Sequence, residues 1–505
     1  MDQRRIGPAA ARLGPRTTDE SAPDAGLTPN GTAKVQTETI EAGIDLQAPP
    51  PPGKSHRFRD LRFKYDRPVP RYTSYPTAPH FHDGVDATVY ADWLSRLAPG
   101  TSLSLYLHVP FCDSLCWFCG CHTKITRRYA PLAVYVAALL REIRLVAAHL
   151  PDRCLVSHIH WGGGSPTMLA PADMSRIARA LRAAFAIAPG AEVAVEIDPR
   201  GLADAVIDAM AEIGVNRVSL GVQDIHPEVQ KAINRDQPFT VTKDCVRRLR
   251  AAGLAALNCD LMYGLPYQDT QRVLETVEAV ASLDPDRIAL FGYAHVPHMK
   301  RHQRLIPEDA LPGGEARLEQ SLAAAERLEA LGYRRIGLDH FAQPRDPLAR
   351  AAASGALRRN FQGYTTDLND ALLGLGASAI GKLPQGYVQN AVPIGSYRRM
   401  IDQGRLAVVR GTAFAGEDRL RAAIIERIMC DMAVDLDRVA AEFGAAFTPS
   451  EAERSRLAEL ADDGVIEIAG PCLRVTRAGR PFVRQVAATF DSYLHRREAR
   501  HSRAI

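Results

Sequence analysis

The sequence predicts an α/β fold in which repeated strand–helix units form a partial six-stranded β/α barrel. Between residues 102 and 345, six short apolar runs rich in β-branched residues alternate with amphipathic helical segments, which is the pattern of a parallel sheet covered by helices. Chemically unusual residues follow these runs at the edge where parallel sheets and barrels bind ligands. After about Pro344 the alternation stops, and helical patterns dominate from Glu417 onward.

Length and composition indicate a globular protein of two or three domains. The 505 residues are 46% hydrophobic and can bury a large core. A net charge of +4 is close to balanced and predicts no nucleic-acid partner. No run approaches the ~20 apolar residues of a membrane span, and the N-terminal arginines have no apolar run behind them. The expected location is therefore the cytoplasm.

The first 55 residues predict a disordered extension. They are rich in alanine, proline, glycine and threonine and end in the run Pro49–Gly53, which is typical of an extended linker. Residues 56–101 form a predicted N-terminal arm that is aromatic and basic. Its segment Arg71–Ala78 places tyrosines beside prolines, so we expect ordered but irregular chain there.

Six predicted strands define the barrel domain, residues 102–345. They are Leu103–Val109, Val156–Trp161, Val193–Ile197, Arg217–Leu220, Leu257–Met262 and Arg287–Tyr293. Arg334–Leu338 is a candidate seventh strand. Between the first two strands, Leu132–His149 carries its apolar residues at the three-to-four-residue spacing of an amphipathic helix.

Residues 346–505 form a predicted, mainly helical C-terminal domain. Near its end, Gly464–Ile468 and Leu473–Thr476 are two short alternating runs, and a helical pattern follows from Arg480. Helices with a terminal hairpin are typical of a winged helix. That fold binds DNA in some proteins, but just as often it only packs against the rest of the protein. We therefore interpret it as structural.

Four cysteines lie within ten residues after the first strand: Cys112, Cys116, Cys119 and Cys121. The first three have the spacing Cys-x-x-x-Cys-x-x-Cys, which offers three thiolates to one compact metal centre. A cubane iron–sulfur cluster held by three cysteines keeps one iron open to a small molecule that can receive an electron. Zinc is the alternative, although no second Cys-x-x-Cys pair follows. A disulfide framework is disfavoured in a chain without a secretion signal.

Residues at the other strand ends are candidates for ligand contacts. Gly162–Gly164 lets a backbone approach a ligand closely, although a tight turn is the alternative. Glu196 and Asp260 have apolar neighbours, and a buried carboxylate needs a partner such as an ammonium group or ribose hydroxyls. Arg235 suits a carboxylate. For each of these charged residues alone, a structural salt bridge is an equally good explanation.

The motifs together resemble a known family. The cysteine spacing, the aromatic before the third cysteine, the glycine loop and the strand-end acids resemble radical S-adenosylmethionine enzymes. More closely, nine segments over roughly residues 57–490 are similar to the oxygen-independent coproporphyrinogen III oxidases, also called dehydrogenases. The segments are Arg71–Ala78, Cys112–Cys121, His160–Gly164, Glu196–Arg200, Gly221–Asp224, Tyr263–Pro266, Tyr293–His295, Asp339–Phe341 and Arg359–Thr366. The resemblance implies that the partial barrel is a radical-SAM barrel.

The resemblance implies a role for individual residues. Cys112, Cys116 and Cys119 are implied to ligate a [4Fe–4S] cluster, with Cys121 part of the signature but not a ligand. S-Adenosyl-L-methionine bound to the cluster is implied to contact Tyr106, Gly163 and Glu196. A second S-adenosylmethionine site is expected from the same resemblance, at Phe118, Gly164, Ser165, Gln223, Arg235, Asp260, Ala294 and Ile380. At Ser165 the chain departs from the family's usual Gly-Thr-Pro-Thr but keeps the hydroxyl.

The implied reaction converts two propionate groups of coproporphyrinogen III to vinyl groups, giving protoporphyrinogen IX for haem biosynthesis. A 5′-deoxyadenosyl radical is implied to remove a hydrogen that no side-chain acid or base removes at neutral pH. The implied partners are coproporphyrinogen III, an electron donor and an electron acceptor, and a monomer is expected. Arg71 is a candidate for gripping a propionate.

Two other functions remain open from the sequence. One is a haem-binding or haem-handling relative that keeps the fold without the decarboxylation; such relatives typically lack Cys121 and the tyrosine-rich arm, which this chain has. The other is an iron–sulfur oxygen sensor whose terminal hairpin domain touches DNA, which the balanced charge disfavours.

Overall fold

The computed structural model describes residues 61–151 and 153–494. The predicted disordered extension, residues 1–55, lies outside the described residues. Among the described residues, no helix combines the length and the apolar character that crossing a lipid bilayer requires.

Twelve strands form the main sheet, and we number them in chain order. They are β1 Ser102–Val109, β2 Leu155–Gly163, β3 Ala186–Ile197, β4 Arg217–Gln223, β5 Ala256–Tyr263, β6 Arg287–Gly292, β7 Arg334–Ile336, β8 His340–Ala342, β9 Ala371–Leu375, β10 Ile380–Leu383, β11 Gly386–Asn390 and β12 Val408–Ala413. Their order across the sheet is β12-β11-β10-β9-β1-β2-β3-β4-β5-β6-β8-β7. Strands β1 to β6 pair in parallel with their neighbours in chain order, so the six predicted strands and the α/β barrel class are confirmed.

Helices connect and cover the parallel strands. Those from the arm to β7 are Ala87–Ser95, Ala130–Ala148, Pro171–Ala184, Asp204–Glu212, Pro227–Ala232, Phe239–Ala251, Thr270–Ala281 and Gly314–Ala330. The helix Ala130–Ala148 confirms the predicted helix Leu132–His149 to within two residues at each end. It buries Val136, Leu139 and Ile143 in the core beneath the sheet, as their spacing predicts.

The candidate seventh strand is an antiparallel edge strand and not another parallel one. β7 pairs antiparallel with β8, and β8 pairs antiparallel with β6. The connection between β7 and β8 is only three residues long, and so short a connection allows antiparallel pairing alone.

Four strands from the region predicted as mainly helical also lie in the main sheet. β9 pairs parallel with β1, and β10, β11 and β12 follow as antiparallel neighbours. The residues of β9 and β11 are buried throughout. Strands buried on both faces do not alternate apolar with polar residues, and glycines such as Gly374 and Gly381 interrupt the apolar runs, so the sequence pattern does not predict these strands.

The C-terminal region is helical beyond β12 and contains the predicted hairpin. Its helices are Asp418–Asp431, Leu436–Glu442, Glu451–Asp462 and Val483–Ala488, and two further helices, Pro347–Ala353 and Ile394–Asp402, precede them. The hairpin Ile466–Ala469 and Cys472–Val475 is joined by Ala433–Asp435 in a three-stranded sheet.

The N-terminal arm packs against this C-terminal region. Tyr72 and Tyr75 are buried in the same apolar cluster as the C-terminal helices. The Tyr72 hydroxyl donates a hydrogen bond to Asp491 at 3.0 Å, and the Gln485 side-chain amide donates to the Tyr65 carbonyl at 2.9 Å. The arm is therefore ordered and irregular, as predicted, and it ties the two ends of the described chain together.

A buried carboxylate holds the turn between β9 and β10. Glu142, on the helix Ala130–Ala148, accepts hydrogen bonds from the Gly376 backbone N–H at 2.6 Å, the Asn390 amide at 2.6 Å and the Tyr397 hydroxyl at 2.7 Å. Burial raises the pKa of Glu142 to about 7, although the three hydrogen bonds act in the opposite direction. Glu142 thereby fixes the glycine-rich turn that leads to Ile380.

We expect Glu142→Leu to lower the free energy of unfolding by about 3–5 kcal/mol, because three buried donors lose their acceptor at roughly 1–3 kcal/mol each, partly offset by the added apolar burial. Guanidinium unfolding of the variant measures this loss. Arg144→Leu changes an exposed residue of the same helix and is the control, with an expected change within about 0.5 kcal/mol. Similar losses in the two variants would contradict the assignment.

Candidate functional site

The cysteine loop follows β1, and neighbouring segments hold its backbone. The Asn234 side-chain amide donates a hydrogen bond to the Leu115 carbonyl at 2.7 Å. A ring nitrogen of His302 lies 2.7 Å from the Cys119 carbonyl oxygen. The loop therefore has a defined shape that the surrounding protein sets.

The four cysteines differ in exposure and thiol pKa. Cys116 is buried, Cys112 and Cys119 are half-buried, and Cys121 is exposed; all four are free of disulfides. Burial raises the pKa of the Cys112 thiol to about 12. A hydrogen bond with Cys121 lowers the pKa of Cys119 to about 6. The loop thus presents three thiols at the predicted ligand positions in unequal environments.

Two arginines and an aspartate surround the middle cysteine. Arg200 and Arg235 donate to the Cys116 sulfur at 3.4 and 3.5 Å. Both also donate to Asp198, at 2.6 and 3.3 Å, and Arg235 donates to the Gly221 carbonyl at 2.7 Å. Burial alone raises the pKa of Asp198, but the hydrogen bond from Arg200 and the charge of Arg235 outweigh it and lower that pKa. The predicted residue Arg235 therefore lies directly beside the cysteine motif.

The glycine loop, Gly162–Gly164, lies at the end of β2 and packs on the segment that leads into the cysteine loop. Gly163 has a φ of +110°, and a Cβ there would lie 2.5 Å from the His108 ring. A Cβ on Gly164 would come closer than 3.0 Å to the Phe111 carbonyl. The Ser165 N–H donates to that carbonyl at 2.7 Å. Larger residues are excluded because this backbone touches the segment that leads into Cys112.

Glu196 lies at the carboxyl end of β3 and is fixed by two partners. One carboxylate oxygen is 3.0 Å from His160 Nε2, and the other accepts the Gly163 N–H at 3.0 Å. The Tyr106 ring stacks on His160 with centroids 5.8 Å apart. Burial alone raises the pKa of Glu196, but the hydrogen bond with His160 contributes to a net lowering. Tyr106, Gly163 and Glu196, predicted as one set, thus meet at one sheet edge with an ionised carboxylate.

Asp260 on β5 faces the same barrel interior. It accepts hydrogen bonds from the Ser219 hydroxyl at 3.0 Å and the Asn258 amide at 2.8 Å. Burial raises the pKa of Asp260, and the charge of Glu196 adds to this effect. Asp260 and Glu196 line one cavity of about 290 Å³, so two carboxylates share the barrel interior.

Phe118 and Ala294 are brought together by one side chain. The Gln303 amide donates to the Phe118 carbonyl at 3.0 Å and to the Ala294 carbonyl at 3.2 Å. Ile380 begins β10, and its backbone lies against Gly374 of β9. Gly374 in turn is the register partner of Tyr106 on β1. These positions therefore surround the strand edge that carries the cysteine loop.

Three of the residues predicted for the second ligand line three different cavities in the described part of the chain. Ser165 lines a cavity of about 290 Å³ with Asp198 and Arg200, Asp260 lines the barrel interior, and Ala294 lines a third cavity. Gln223 ends β4 in the left-handed region, with a φ of 70°. The structure thus places this set around the cysteine and glycine loops, distributed over adjoining spaces.

Sequence reasoning missed several residues of this site. Arg200 and Asp198 contact each other and the Cys116 environment, and His160 holds Glu196. His160 and Arg200 lie in segments that carry the family resemblance, and Asp198 ends the third strand. The position of Asp198 and Arg200 just after β3 was a signal that could have selected them, whereas His160 lies within β2.

Comparison with known proteins gives consistent matches. Residues 106–280 match the radical SAM superfamily and residues 414–482 the HemN C-terminal domain. Oxygen-independent coproporphyrinogen III oxidase from Bradyrhizobium diazoefficiens is 52% identical over 447 residues, 88% of this chain and 99% of that protein. The Pseudomonas aeruginosa protein of the same name is 41% identical, covering 86% of this chain and 95% of its own. The structure of coproporphyrinogen III oxidase (HemN) from Escherichia coli, a radical SAM enzyme, has a TM-score of 0.80 and 37% identity, covering 85% of this chain and all of that one.

The residues present fit the [4Fe–4S] cluster and the S-adenosylmethionine that the superfamily implies. Within the part of the chain that the structure describes, no three His, Cys, Asp or Glu side chains converge on a point that could hold a single metal ion, as a zinc site needs at about 2.3 Å per thiolate. In a cubane cluster each thiolate binds a separate iron, so the three sulfur atoms need not converge on one point. The hydrogen bonds from Arg200 and Arg235 place two positively charged groups beside the Cys116 sulfur.

We expect Gly164→Ala to lower the free energy of unfolding by about 1–3 kcal/mol, because its Cβ would overlap the Phe111 carbonyl. It should also lower the iron and sulfide bound per chain after anaerobic reconstitution, since Phe111 precedes Cys112. Gly120→Ala, in the neighbouring cysteine loop, is the control, because a Cβ there meets nothing within 4 Å. Equal iron content and equal unfolding in the two variants would refute this packing argument.

Proposed function

The chain belongs to the oxygen-independent coproporphyrinogen III oxidase family of the radical SAM superfamily, and on that premise we propose that it converts coproporphyrinogen III to protoporphyrinogen IX in haem biosynthesis. Each of two propionate groups loses a β-hydrogen atom, carbon dioxide and one electron and becomes a vinyl group. The proposal is supported most directly by the packing of the Cys112–Cys121 loop on the glycine loop that carries Gly163 beside Glu196.

Cys112, Cys116 and Cys119 are the proposed cluster ligands. When bound, the cluster and S-adenosylmethionine supply the electron and the 5′-deoxyadenosyl radical that abstraction from an unactivated carbon requires. The guanidinium groups of Arg200 and Arg235 donate to the Cys116 sulfur and so stabilise negative charge there. Cys121 remains outside the proposed ligand set.

Tyr106, Gly163 and Glu196 are the proposed contacts of the S-adenosylmethionine bound at the cluster. Glu196 is held by His160 and the Gly163 N–H, which keeps an ionised acceptor at a fixed place for an ammonium group or ribose hydroxyls. Tyr106 lies against His160 and offers an apolar ring beside that acceptor. The pair thus suits a ligand that is cationic at one end and apolar at another.

The proposed second S-adenosylmethionine site uses residues around the same loops: Phe118, Gly164, Ser165, Gln223, Arg235, Asp260, Ala294 and Ile380. The Gln303 bridge between Phe118 and Ala294 supports this placement. Asp260 offers a carboxylate and Arg235 a guanidinium, so the set carries partners for both charged ends of an amino acid group.

The proposed reaction needs two electron-transfer partners. An electron donor must reduce the cluster, and an electron acceptor must take one electron for each vinyl group formed.

We propose a cytoplasmic monomer with four parts: the extension 1–55, the arm 56–101, the barrel domain 102–345 and the C-terminal domain 346–505. The arm's contacts with Asp491 and Gln485 support its separate role as a tie across the barrel.

We expect Cys116→Ala to abolish formation of protoporphyrinogen and release of methionine in an anaerobic assay with coproporphyrinogen III, S-adenosylmethionine and a chemical reductant. The reason is that two thiolates cannot hold the cubane in its three-cysteine geometry. Cys472→Ser, at a cysteine of the terminal hairpin sheet, should retain full activity. Turnover by the Cys116 variant at the parent rate would overturn the proposal.

We expect Glu196→Gln to raise the KM for S-adenosylmethionine about tenfold or more while leaving the iron content unchanged. A charged hydrogen bond contributes roughly 1.5–3 kcal/mol, and about 1.4 kcal/mol corresponds to a tenfold change. Glu212→Gln, on the exposed face of the helix Asp204–Glu212, serves as the control. An unchanged KM in the Glu196 variant would remove Glu196 from the cofactor site.

A further inference from the structure

A cavity of about 380 Å³ lies beside the end of β6, between the N-terminal arm and the C-terminal region. Five arginines line it, Arg71, Arg317, Arg335, Arg359 and Arg484, against two aspartates, Asp66 and Asp339. We name this space the arginine cavity. Its lining therefore carries an excess of positive charge.

The guanidinium groups are positioned by neutral acceptors. Arg71 donates to the Gly292 carbonyl at 3.2 Å, and Arg317 donates to the Tyr293 carbonyl at 2.8 Å. Arg359 donates to the Arg71 carbonyl at 3.3 Å. Among the described residues, none of these three arginines forms an ion pair with a carboxylate within 4.0 Å. Carbonyl acceptors fix the orientation of an arginine without neutralising its charge, so that charge is available to an anion.

Several donors in the arginine cavity are buried without an acceptor. They are Nε of Arg335 and both Nε and Nη1 of Arg359. A buried donor without a partner costs about 1–3 kcal/mol. These donors without an acceptor belong to two of the arginines that line the cavity.

The aspartates do not cancel the arginines. Burial alone raises the pKa of Asp339, but the hydrogen bond from His340 and the charges of Arg359 and Arg71 outweigh it and lower the pKa to about 2. Burial lowers the pKa of Arg484 to about 10, which leaves it protonated at neutral pH. An ionised Asp339 among protonated arginines leaves the cavity cationic.

The arginine cavity adjoins the proposed active site. Gly292, Tyr293 and Ala294 line it, and Gln303 joins the Ala294 carbonyl to the Phe118 carbonyl in the cysteine loop. A ligand in the cavity therefore sits at the same strand edge as the cysteines.

We propose that the arginine cavity binds the two propionates of the tetrapyrrole that the reaction leaves intact, an inference that rests on the proposed function. Arginine pairs with carboxylates through two parallel hydrogen bonds, and several arginines suit a ligand with more than one carboxylate. Tight binding of a carboxylate stabilises the ground state and opposes its loss as carbon dioxide. A strongly cationic cavity thus fits the carboxylates that survive in the product better than those that react.

The test compares two stable porphyrin probes, coproporphyrin III with four propionates and protoporphyrin IX with only the two retained ones. We expect Arg71→Gln combined with Arg317→Gln to raise the Kd of both probes at least tenfold by fluorescence titration, because both carry the retained carboxylates. Arg317→Lys should recover part of the affinity, since it keeps the charge. Arg327→Gln is the control, because Arg327 lies on the same helix in a surface ion pair with Glu278.

Two outcomes would overturn the inference. Unchanged affinity for both probes means that the cavity does not bind the tetrapyrrole. Weaker binding of coproporphyrin III alone means that the cavity holds the reacting propionates. If the double variant fails to fold, as judged by its thermal unfolding and iron content, Arg71→Gln alone carries the test, because Arg71 is exposed. The titration needs no turnover, so a wild-type protein that forms no protoporphyrinogen contradicts the proposed function separately from this inference.

Discussion

The close approach of two backbones, at Gly164 and Phe111, is the constraint on which the rest of the site depends. No side chain fits between them, so the glycine loop at the end of β2 and the segment that leads to Cys112 have one relative position. The same glycine loop donates the Gly163 N–H to Glu196. One steric contact therefore sets the distance between the cysteines and the strand-end carboxylate, and the surrounding hydrogen bonds refine it.

Two cavities of the molecule differ in the charge of the side chains that line them. Glu196 and Asp260 line the barrel interior, whereas arginines dominate the cavity beside the end of β6. S-Adenosylmethionine carries a sulfonium and an ammonium group, while the tetrapyrrole carries carboxylates. The barrel interior also contains Arg217 and Arg287, so its acidic character is local to the carboxylates. The proposed ligand positions follow this local charge, because unlike charges in a buried space attract strongly and like charges repel.

The sequence predicted the six parallel strands because short apolar runs rich in β-branched residues alternate with amphipathic helical segments. It did not predict β9 to β12, since strands buried on both faces and interrupted by glycines such as Gly374 lack an alternating pattern. The sequence did not predict the arginine cavity, for another reason. Arg71, Arg317 and Arg484 are far apart in the sequence and meet only because the arm crosses the barrel to the C-terminal region, so no local spacing records their proximity.

That crossing gives the N-terminal arm a thermodynamic role in addition to a structural one. Arg484 donates to the Val69 carbonyl, and Arg359 donates to the Arg71 carbonyl, so the cavity has its full lining only while the arm is docked. A ligand that binds the docked form and not the undocked one stabilises docking by RT ln(1 + [L]/Kd), about 2.7 kcal/mol at a hundredfold excess over Kd. A ligand bound in the arginine cavity therefore stabilises the docked position of the arm and, with it, the contacts of Arg484 and Arg359 with the arm backbone.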